Sequence, residues 1–409
     1  MPNLPTRGDV SSPNRSRTRR TSADSAVAEA LTDVSAAEPL LWSAGARAWL
    51  SPSFPGGERV ARTDLIDVLA EGRFASVVLD GLLGEVDDPR PILDAVYAHT
   101  APHAPIVIVE RDLRRCGVHG RTRRDVITSA LFAAGFVATR TRRVRRGGVV
   151  IVARRGDVAP PTARPVTLSI VLPVFNERET FRKVMEQLLD KEIPGVDMEI
   201  VVVESNSTDG TRDEVRAFEG RERVSVVLEE RPRGKGHAVR TGFDHATGEL
   251  VMIQDADLEY DLDDYEAVLE PLRNFEASFV LGARTRTDGA RFGVRHFEKQ
   301  VLIGMMMNLG NVIFLRLFNT VYRQHLADPF TMYKAFRREC LSGLELECNR
   351  FDLDWELTGK LIRAGYTPVE VPVAYESRSF TEGKKVSVLR DPLSWVVAAV
   401  KYRFARLDV

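Results

Sequence analysis

Asp255 and Asp257 flank Ala256 just beyond the apolar run of residues 250–253. In extended backbone alternate side chains point the same way, so this spacing aims two carboxylates at one point past the end of a buried strand. Hard carboxylate oxygens suit Mg²⁺ or Mn²⁺. Two acids do not cage such an ion, which completes its shell with water and substrate phosphate, so the chemistry expected is a divalent metal shared with a diphosphate. Lys235, between Gly234 and Gly236 at the start of a helical pattern, is the matching cation. A cation near a helix N-terminus opposes the macrodipole, and an anion bound there reverses that cost, so Lys235 reads as a phosphate contact.

The elements that must hold these groups follow from periodicity. Residues 166–174 read as a buried strand running into Pro173-Val174-Phe175-Asn176-Glu177. Phe181, Val184, Met185, Leu188 and Leu189 then recur at helical spacing, and Asn176 with Glu179 three residues on forms the pattern of a capping box. Glu177, an acid at a strand-to-helix turn, can accept hydrogen bonds from a nucleobase or ribose. A second strand, 199–203, ends in Glu204-Ser205-Asn206-Ser207-Thr208-Asp209-Gly210-Thr211, and a third, 224–228, leads to the Lys235 turn. A further strand, 278–282, leads to Arg284. Strands alternating with helices, with polar turns at strand ends, describe a Rossmann-like half that binds ligands in the crevice beyond the carboxyl ends.

The ordered set VLPVFNE, ESNSTDGT, RGKGHAVRTGF, ATGEL, QDADLEYD and LGAR resembles family 2 glycosyltransferases of the GT-A fold, nearest to the polyprenyl-phosphate, dolichyl-phosphate mannose synthase-like hexosyltransferases. The resemblance spans residues 166–404. It implies that Pro173, Phe175, Glu177, Val203 and Ser205 line the nucleoside pocket. Asp255, Ala256 and Asp257 would hold diphosphate and metal, with Asp255 and Asp257 as the ligands of Mg²⁺ or Mn²⁺, and Arg284 would lie near the sugar or phosphate. Asp328, followed by Pro329-Phe330-Thr331-Met332-Tyr333-Lys334, falls in the segment that closes over the reaction centre, with Met332 where glycine is frequent. Asp354 and Glu356 stand where the family places acids near the acceptor. Asp328 is the first choice for a base or acceptor-orienting residue, Asp354 and Glu356 the alternatives. Arg378 and Lys384 match, in identity and spacing, an Arg and Lys that grip phosphate. One departure stands out: the family often has two aspartates where this chain has Glu204-Ser205. Loss of the second acid removes an acceptor for a base N–H and leaves the nucleotide open.

The implied reaction is an inverting, metal-dependent transfer of a hexose from a nucleotide-diphosphate sugar to a polyprenyl phosphate, at the cytoplasmic face of the plasma membrane. Alternatives are the same transfer to a soluble, polysaccharide or natural-product acceptor, and, from another class, a non-catalytic sugar-nucleotide scaffold. A nucleotidyltransferase is disfavoured because no glycine-rich opening follows the first strand. Residues 301–322 are dominated by apolar side chains, but Asn308, Asn311, Arg316 and Asn319 make a bilayer span unfavourable. An interfacial pair of amphipathic helices, making peripheral membrane contact, is expected instead.

At 409 residues with 57 Lys and Arg against 58 Asp and Glu, the chain has no basic excess that would mark a dedicated nucleic-acid binder. Cys116, Cys340 and Cys348 show neither CxxC spacing nor a disulfide framework, which fits a reducing cytoplasm. Residues 1–36, rich in Ser, Pro and Arg and without an apolar leader core, are expected to be a disordered basic arm. Residues 37–155 alternate strands (74–80, 105–110) and helices (91–99, 125–134) and end in a hairpin of 136–144 with 149–154. That succession resembles the C-terminal half of a class I methyltransferase. No strand followed by a glycine-rich turn is read before Phe74, so this smaller α/β domain is expected to be degenerate or truncated, with no S-adenosylmethionine bound. A Pro-rich linker, 156–166, leads to the GT-A domain, 167–409. The sequence leaves the oligomeric state open.

Overall fold

The computed structural model describes residues 40–44, 58–61, 65, 74–83, 86, 88–111, 123–144, 148–156, 165–285, 301–350, 352–376, 391–405 and 407. The basic arm, most of the linker and the loop bearing Arg378 and Lys384 lie outside the described residues.

The first sheet is built from β1 (Leu40–Ala44), β2 (Glu58–Ala61), β3 (Ser76–Asp80), β4 (Pro105–Arg111), β5 (Phe136–Val144) and β6 (Gly148–Arg155). Its order is β2-β1-β3-β4-β6-β5. The first four strands run parallel, and β6 is antiparallel to β4 and β5. The terminal hairpin is therefore as the sequence suggests. Before Phe74 the sheet gains two strands that periodicity does not reveal: β1 and β2 extend it in parallel on that side. LLWSA and ERVA are too short, and ERVA too charged, to announce themselves by period. Helices α1 (Arg90–His99) and α2 (Arg123–Ala133) cover this sheet, with Leu93, Val96, Ile127 and Leu131 in its core.

The second sheet carries the expected chemistry. It comprises β7 (Val166–Val174), β8 (Val196–Glu204), β9 (Val224–Leu228), β10 (Leu250–Ile253), β11 (Phe279–Thr285), β12 (Lys334–Arg337) and β13 (Val369–Ala374). The order is β13-β11-β12-β10-β7-β8-β9, with β12 antiparallel to both neighbours and the remaining pairings parallel. This is a mixed α/β sheet, parallel except at β12. Helices α3 (Phe181–Asp190), α4 (Thr211–Arg216), α5 (Lys235–His245), α6 (Tyr265–Arg273), α7 (Val301–Tyr322), α8 (Leu353–Ala364) and α9 (Asp391–Phe404) complete it.

Strands buried on both faces need apolar residues at every position, and here the period of two divides them between two cores. Leu168, Ile170, Leu172, Leu250 and Met252 pack with α3 and α6. Val171, Val251 and Ile253 face the opposite layer with α5 and α8. Each such side chain contributes about 1.5–3 kcal/mol of burial. β7 lies between β8 and β10, where the direction of winding reverses. The chain order thus opens a crevice at the carboxyl ends of β7 and β10.

Two sequence expectations change at the helices. Asn176 is not the cap of α3: it sits at φ 52, and Thr180 takes the capping position. Residues 301–322 form one 22-residue helix rather than a pair, because Phe318 and Tyr322 bury against Trp355 and α8 without an intervening breaker. No helix among the described residues is long and apolar enough to cross a membrane. The two sheets also meet: Ser129 Oγ lies 2.8 Å from Ser278 Oγ, and the Arg337 guanidinium stands 5.7 Å from the Phe132 ring centre.

Candidate active site

The crevice is walled by two strand-end loops that hydrogen-bond each other. Asn176 N donates to Ser207 Oγ at 2.9 Å, Asn176 Oδ1 accepts from Thr208 N at 2.9 Å, and Glu177 N donates to Thr211 Oγ1 at 2.9 Å. Asn176 therefore stitches β7 to β8 instead of capping a helix. Its left-handed backbone, which Asn tolerates better than most residues, is what turns its amide toward the neighbouring loop. Pro173, Phe175 and Glu177 lie on this rim, partly exposed. Glu177 Oε2 accepts from Thr180 Oγ1 at 3.3 Å. Val203, at 0% exposure, packs its side chain with Val201 and with Ala238 of α5. Ser205 is buried and donates its hydroxyl to Glu229 Oε2 at 2.6 Å.

At the end of β10 the backbone is fixed before the acids begin. Gln254 is fully buried, its Oε1 accepting from Tyr265 Oη at 2.8 Å and its Nε2 donating to the Asp255 carbonyl at 2.8 Å. Asp255 Oδ1 meets Lys235 Nζ at 2.5 Å. Asp257 Oδ1 accepts from Glu259 N at 3.2 Å. Between the two acids, Ala256 places its methyl in the core, and its carbonyl accepts from Thr180 Oγ1 at 2.6 Å. Burial lowers the Lys235 ammonium's affinity for its proton, but Asp255, followed by Asp257 and Asp354, outweighs it and raises the pKa. The lysine thus remains a cation facing three acids.

Gly234 and Gly236 are required by packing. Gly234 sits at φ 101, and a Cβ there would strike the Asn349 carbonyl oxygen. A Cβ on Gly236 would stand 2.9 Å from the Arg350 carbonyl. What holds that covering loop is Glu356. Its carboxylate accepts from Glu347 N at 2.9 Å, Cys348 N at 2.8 Å and Lys360 Nζ at 2.6 Å. In this structure Glu356 positions the loop over the Lys235 turn, its oxygens engaged by the loop amides and Lys360. Gly234→Ala is expected to lose roughly 1–3 kcal/mol of stability and to weaken diphosphate binding, read by urea unfolding and calorimetry.

Burial opposes ionisation of Glu356, yet hydrogen bonds from Cys348, Lys360 and the loop amides hold its carboxyl below the ordinary value. A depressed carboxylate contributes stability above its unfolded value, about 4.3, and loses it as pH falls through the folded one. Glu356→Gln should cost about 2 kcal/mol at pH 7, as for a hydrogen-bonded charge. The difference from wild type should shrink below pH 4 in denaturant titrations at stepped pH.

On the far side, Arg284 at the end of β11 forms a forked pair with Asp328: Nε to Oδ2 at 2.6 Å, Nη2 to Oδ1 at 2.8 Å, and the Arg284 amide to Oδ2 at 3.2 Å. Their side chains are 9% and 7% exposed. Burial raises the Asp328 pKa, but the Arg284 charge and its hydrogen bonds more than reverse this, leaving the carboxyl below its usual range. A carboxylate so held is a poor proton acceptor. Asp354 differs. Its Oδ1 accepts from the buried Lys334 Nζ at 2.7 Å, and desolvation outweighs Lys334, Lys235 and Arg284 to push its pKa up.

Several groups here had no signal in the sequence. Glu370 on β13 accepts from Ala327 N and Asp328 N, both at 2.7 Å, and so sets the Asp328 loop. Tyr260 stacks on Tyr333 at 4.1 Å and accepts from Met332 N at 3.0 Å, clasping the 255–264 loop to the 328–334 segment. Lys334 reaches Asp354 from β12 to α8. Glu370 and Tyr260 act across 42 and 72 residues of sequence and Lys334 across 20, where no local spacing reports them. Arg378 and Lys384 cannot be placed with the others, lying outside the described residues.

Residues 169–344 match the family model described as Glycosyl transferase family 2. Among curated relatives, a dolichol-phosphate mannosyltransferase from Pyrococcus furiosus is 27% identical over 53% of this chain and 58% of its own length. Glycosyltransferase AglD from Haloferax volcanii is 29% identical over 58% of this chain and 36% of its own. The chain thus spans about half the length of these relatives, or less. A crystal structure of glucosyl-3-phosphoglycerate synthase from Mycobacterium tuberculosis, in complex with Mg²⁺ and uridine-diphosphate, is similar at 21% identity and TM-score 0.41, covering 59% of this chain and 80% of that one.

Proposed function

We propose, from the premise that residues 169–344 form a family 2 glycosyltransferase domain, that this chain moves a hexose from a nucleoside-diphosphate sugar to a polyprenyl phosphate. The transfer takes place with inversion at the cytoplasmic membrane face. The observation that carries this reading is the convergence of two acid–cation pairs, the part-buried Asp255 with Lys235 and the buried Asp328 with Arg284, around one crevice. The name of the Pyrococcus relative supports the choice of acceptor.

Asp255 and Asp257 would suit a hard divalent ion in that they offer only oxygens, leaving the rest of its shell to water and phosphate. Mg²⁺ or Mn²⁺, when bound, supplies positive charge to the leaving diphosphate. Lys235, tethered to Asp255, is positioned to give that diphosphate a further contact. Arg284 faces the same charge, and Asp328 holds its guanidinium in one orientation so that no reorganisation is needed as charge develops. Arg378 and Lys384 are read as further phosphate contacts. A lipid monophosphate is ionised at neutral pH, so positioning matters more than proton removal.

Asp354, with its raised pKa, favours a second reading for one case: with a hydroxyl acceptor it is the group suited to take the proton. The exposed Leu309 and Ile313 of α7 and Val396, Val397, Val400 and Phe404 of α9 support peripheral membrane contact. The first sheet is read as a structural module resembling a reduced methyltransferase.

The test is incubation with radiolabelled nucleotide sugars, Mg²⁺ or Mn²⁺, and bacterial lipid extract. Label in an acid-labile, organic-soluble product is the expected result, and label confined to aqueous product defeats the lipid acceptor. Asp354→Asn should leave transfer to a phosphate nearly intact, whereas with a hydroxyl acceptor it should lower the rate by about 10²–10⁴-fold.

A further inference from the structure

The carboxyl ends of β8 and β9 hold a polar trio that the transfer chemistry above does not use. Glu204, the last residue of β8, is turned into its own loop: Oε1 accepts from Ser207 N at 2.6 Å and Oε2 faces Arg212 Nε at 3.3 Å. Ser205, 4% exposed, donates Oγ to Oε2 of Glu229, the first residue beyond β9 and 9% exposed, at 2.6 Å. Both backbones are fixed by the sheet, with Ser205 N donating to the Val174 carbonyl at 2.9 Å and Glu229 N to the Glu204 carbonyl at 2.8 Å.

The other carboxylate oxygen, Glu229 Oε1, stands 2.6 Å from His237 Nδ1, but off the line of a hydrogen bond, and it has no aligned donor. His237 Nε2 lies 3.2 Å from Arg233 Nη1. Arginine has donors only, so Nε2 accepts and the ring proton sits on Nδ1, whose aligned partner is Thr241 Oγ1 at 3.4 Å. His237 is two residues past Lys235 on the first turn of α5, so the trio continues the diphosphate end of the crevice toward the ends of β7 and β8.

We propose that Glu229 determines nucleobase specificity by acting through Ser205, restoring from the adjacent strand the acid that β8 lacks. The inference rests on the reading of this crevice as a nucleoside-diphosphate site. Glu229 Oε2 accepts the hydrogen bond of the Ser205 hydroxyl, which leaves the serine lone pairs and Glu229 Oε1 as acceptors only. A base with N–H at its pairing edge, uracil or guanine, matches that pattern. Adenine and cytosine present a bare ring nitrogen there and meet it lone pair to lone pair. For Ser205 to turn its proton outward, a buried carboxylate would lose a donor.

The test measures binding of UDP, GDP, ADP and CDP to the full chain in Mg²⁺ by calorimetry. Wild type is expected to bind UDP or GDP at least about tenfold more tightly than ADP and CDP. Glu229→Gln and, independently, Ser205→Ala should bring that ratio toward one while circular dichroism shows a folded chain. The exchange variant carrying Ser205→Asp with Glu229→Ser should restore it, which a merely structural role for Glu229 would not allow. An unchanged ratio in Ser205→Ala or Glu229→Gln overturns the proposal, as does equal binding of all four nucleotides by wild type. That last result leaves the nucleotide site itself standing. Absence of binding by any of the four defeats both.

Discussion

Asp257→Asn is expected to lower metal-dependent transfer by more than about a hundredfold, since loss even of an outer partner of a metal ligand costs 10–100-fold. The substitution keeps size and hydrogen-bonding shape but removes the charge that a hard cation requires. Asp257 is partly exposed at the end of the β10 loop, and its recorded hydrogen bond, to the Glu259 amide at 3.2 Å, survives with an amide oxygen. The melting temperature should therefore stay within a degree or two of wild type, about 0.5 kcal/mol for a surface change. Steady-state rates across a Mg²⁺ or Mn²⁺ titration, alongside thermal unfolding, separate the outcomes. Turnover equal to wild type would remove Asp257 from the metal site.

Asp328→Ala is expected to act on both stability and activity. It leaves the Arg284 side chain, 9% exposed, without its forked partner. Breaking a buried pair in this way costs about 3–5 kcal/mol. For a domain of this size that lowers the melting temperature on the order of 10 °C. The double variant Arg284→Met with Asp328→Leu should recover much of the stability, because apolar replacement of a whole buried pair is often neutral or better. It should not recover transfer. An Asp328→Ala chain that melts with wild type would show that Arg284 finds other support. A double variant with full activity would separate the pair from catalysis.

Much of the site was legible locally. Asp255 and Asp257 follow a buried strand at the spacing that extended backbone requires, and Lys235 sits between two glycines before a helix. These features depend on period and on near neighbours, so the chain order alone locates them. The sheet supplied the rest of the second domain in the same way, since runs such as LSIVLPV and IVVVE admit few alternatives to a strand covered on both sides.

The roles of the remaining charged groups were decided by tertiary structure. Asp328, Asp354 and Glu356 are three acids that the sequence could rank only by resemblance. Folding gives them different partners: Arg284 from 44 residues away, Lys334 from 20 and Lys360 from one helical turn. Those partners fix one as a clamp, raise the proton affinity of another and commit the third to a loop. Asn176 has the sequence signature of a cap, yet the β8 loop competes for its amide and wins because both strand ends emerge side by side. Ser205 looked like a lost acid until β9 brought Glu229 within 2.6 Å. The sequence determined which strand ends bear the acids and cations, because that is written in local periodicity. Which side chain meets which was decided only when the parallel sheet juxtaposed residues distant in the chain, since charge pairing depends on distance in space and on burial.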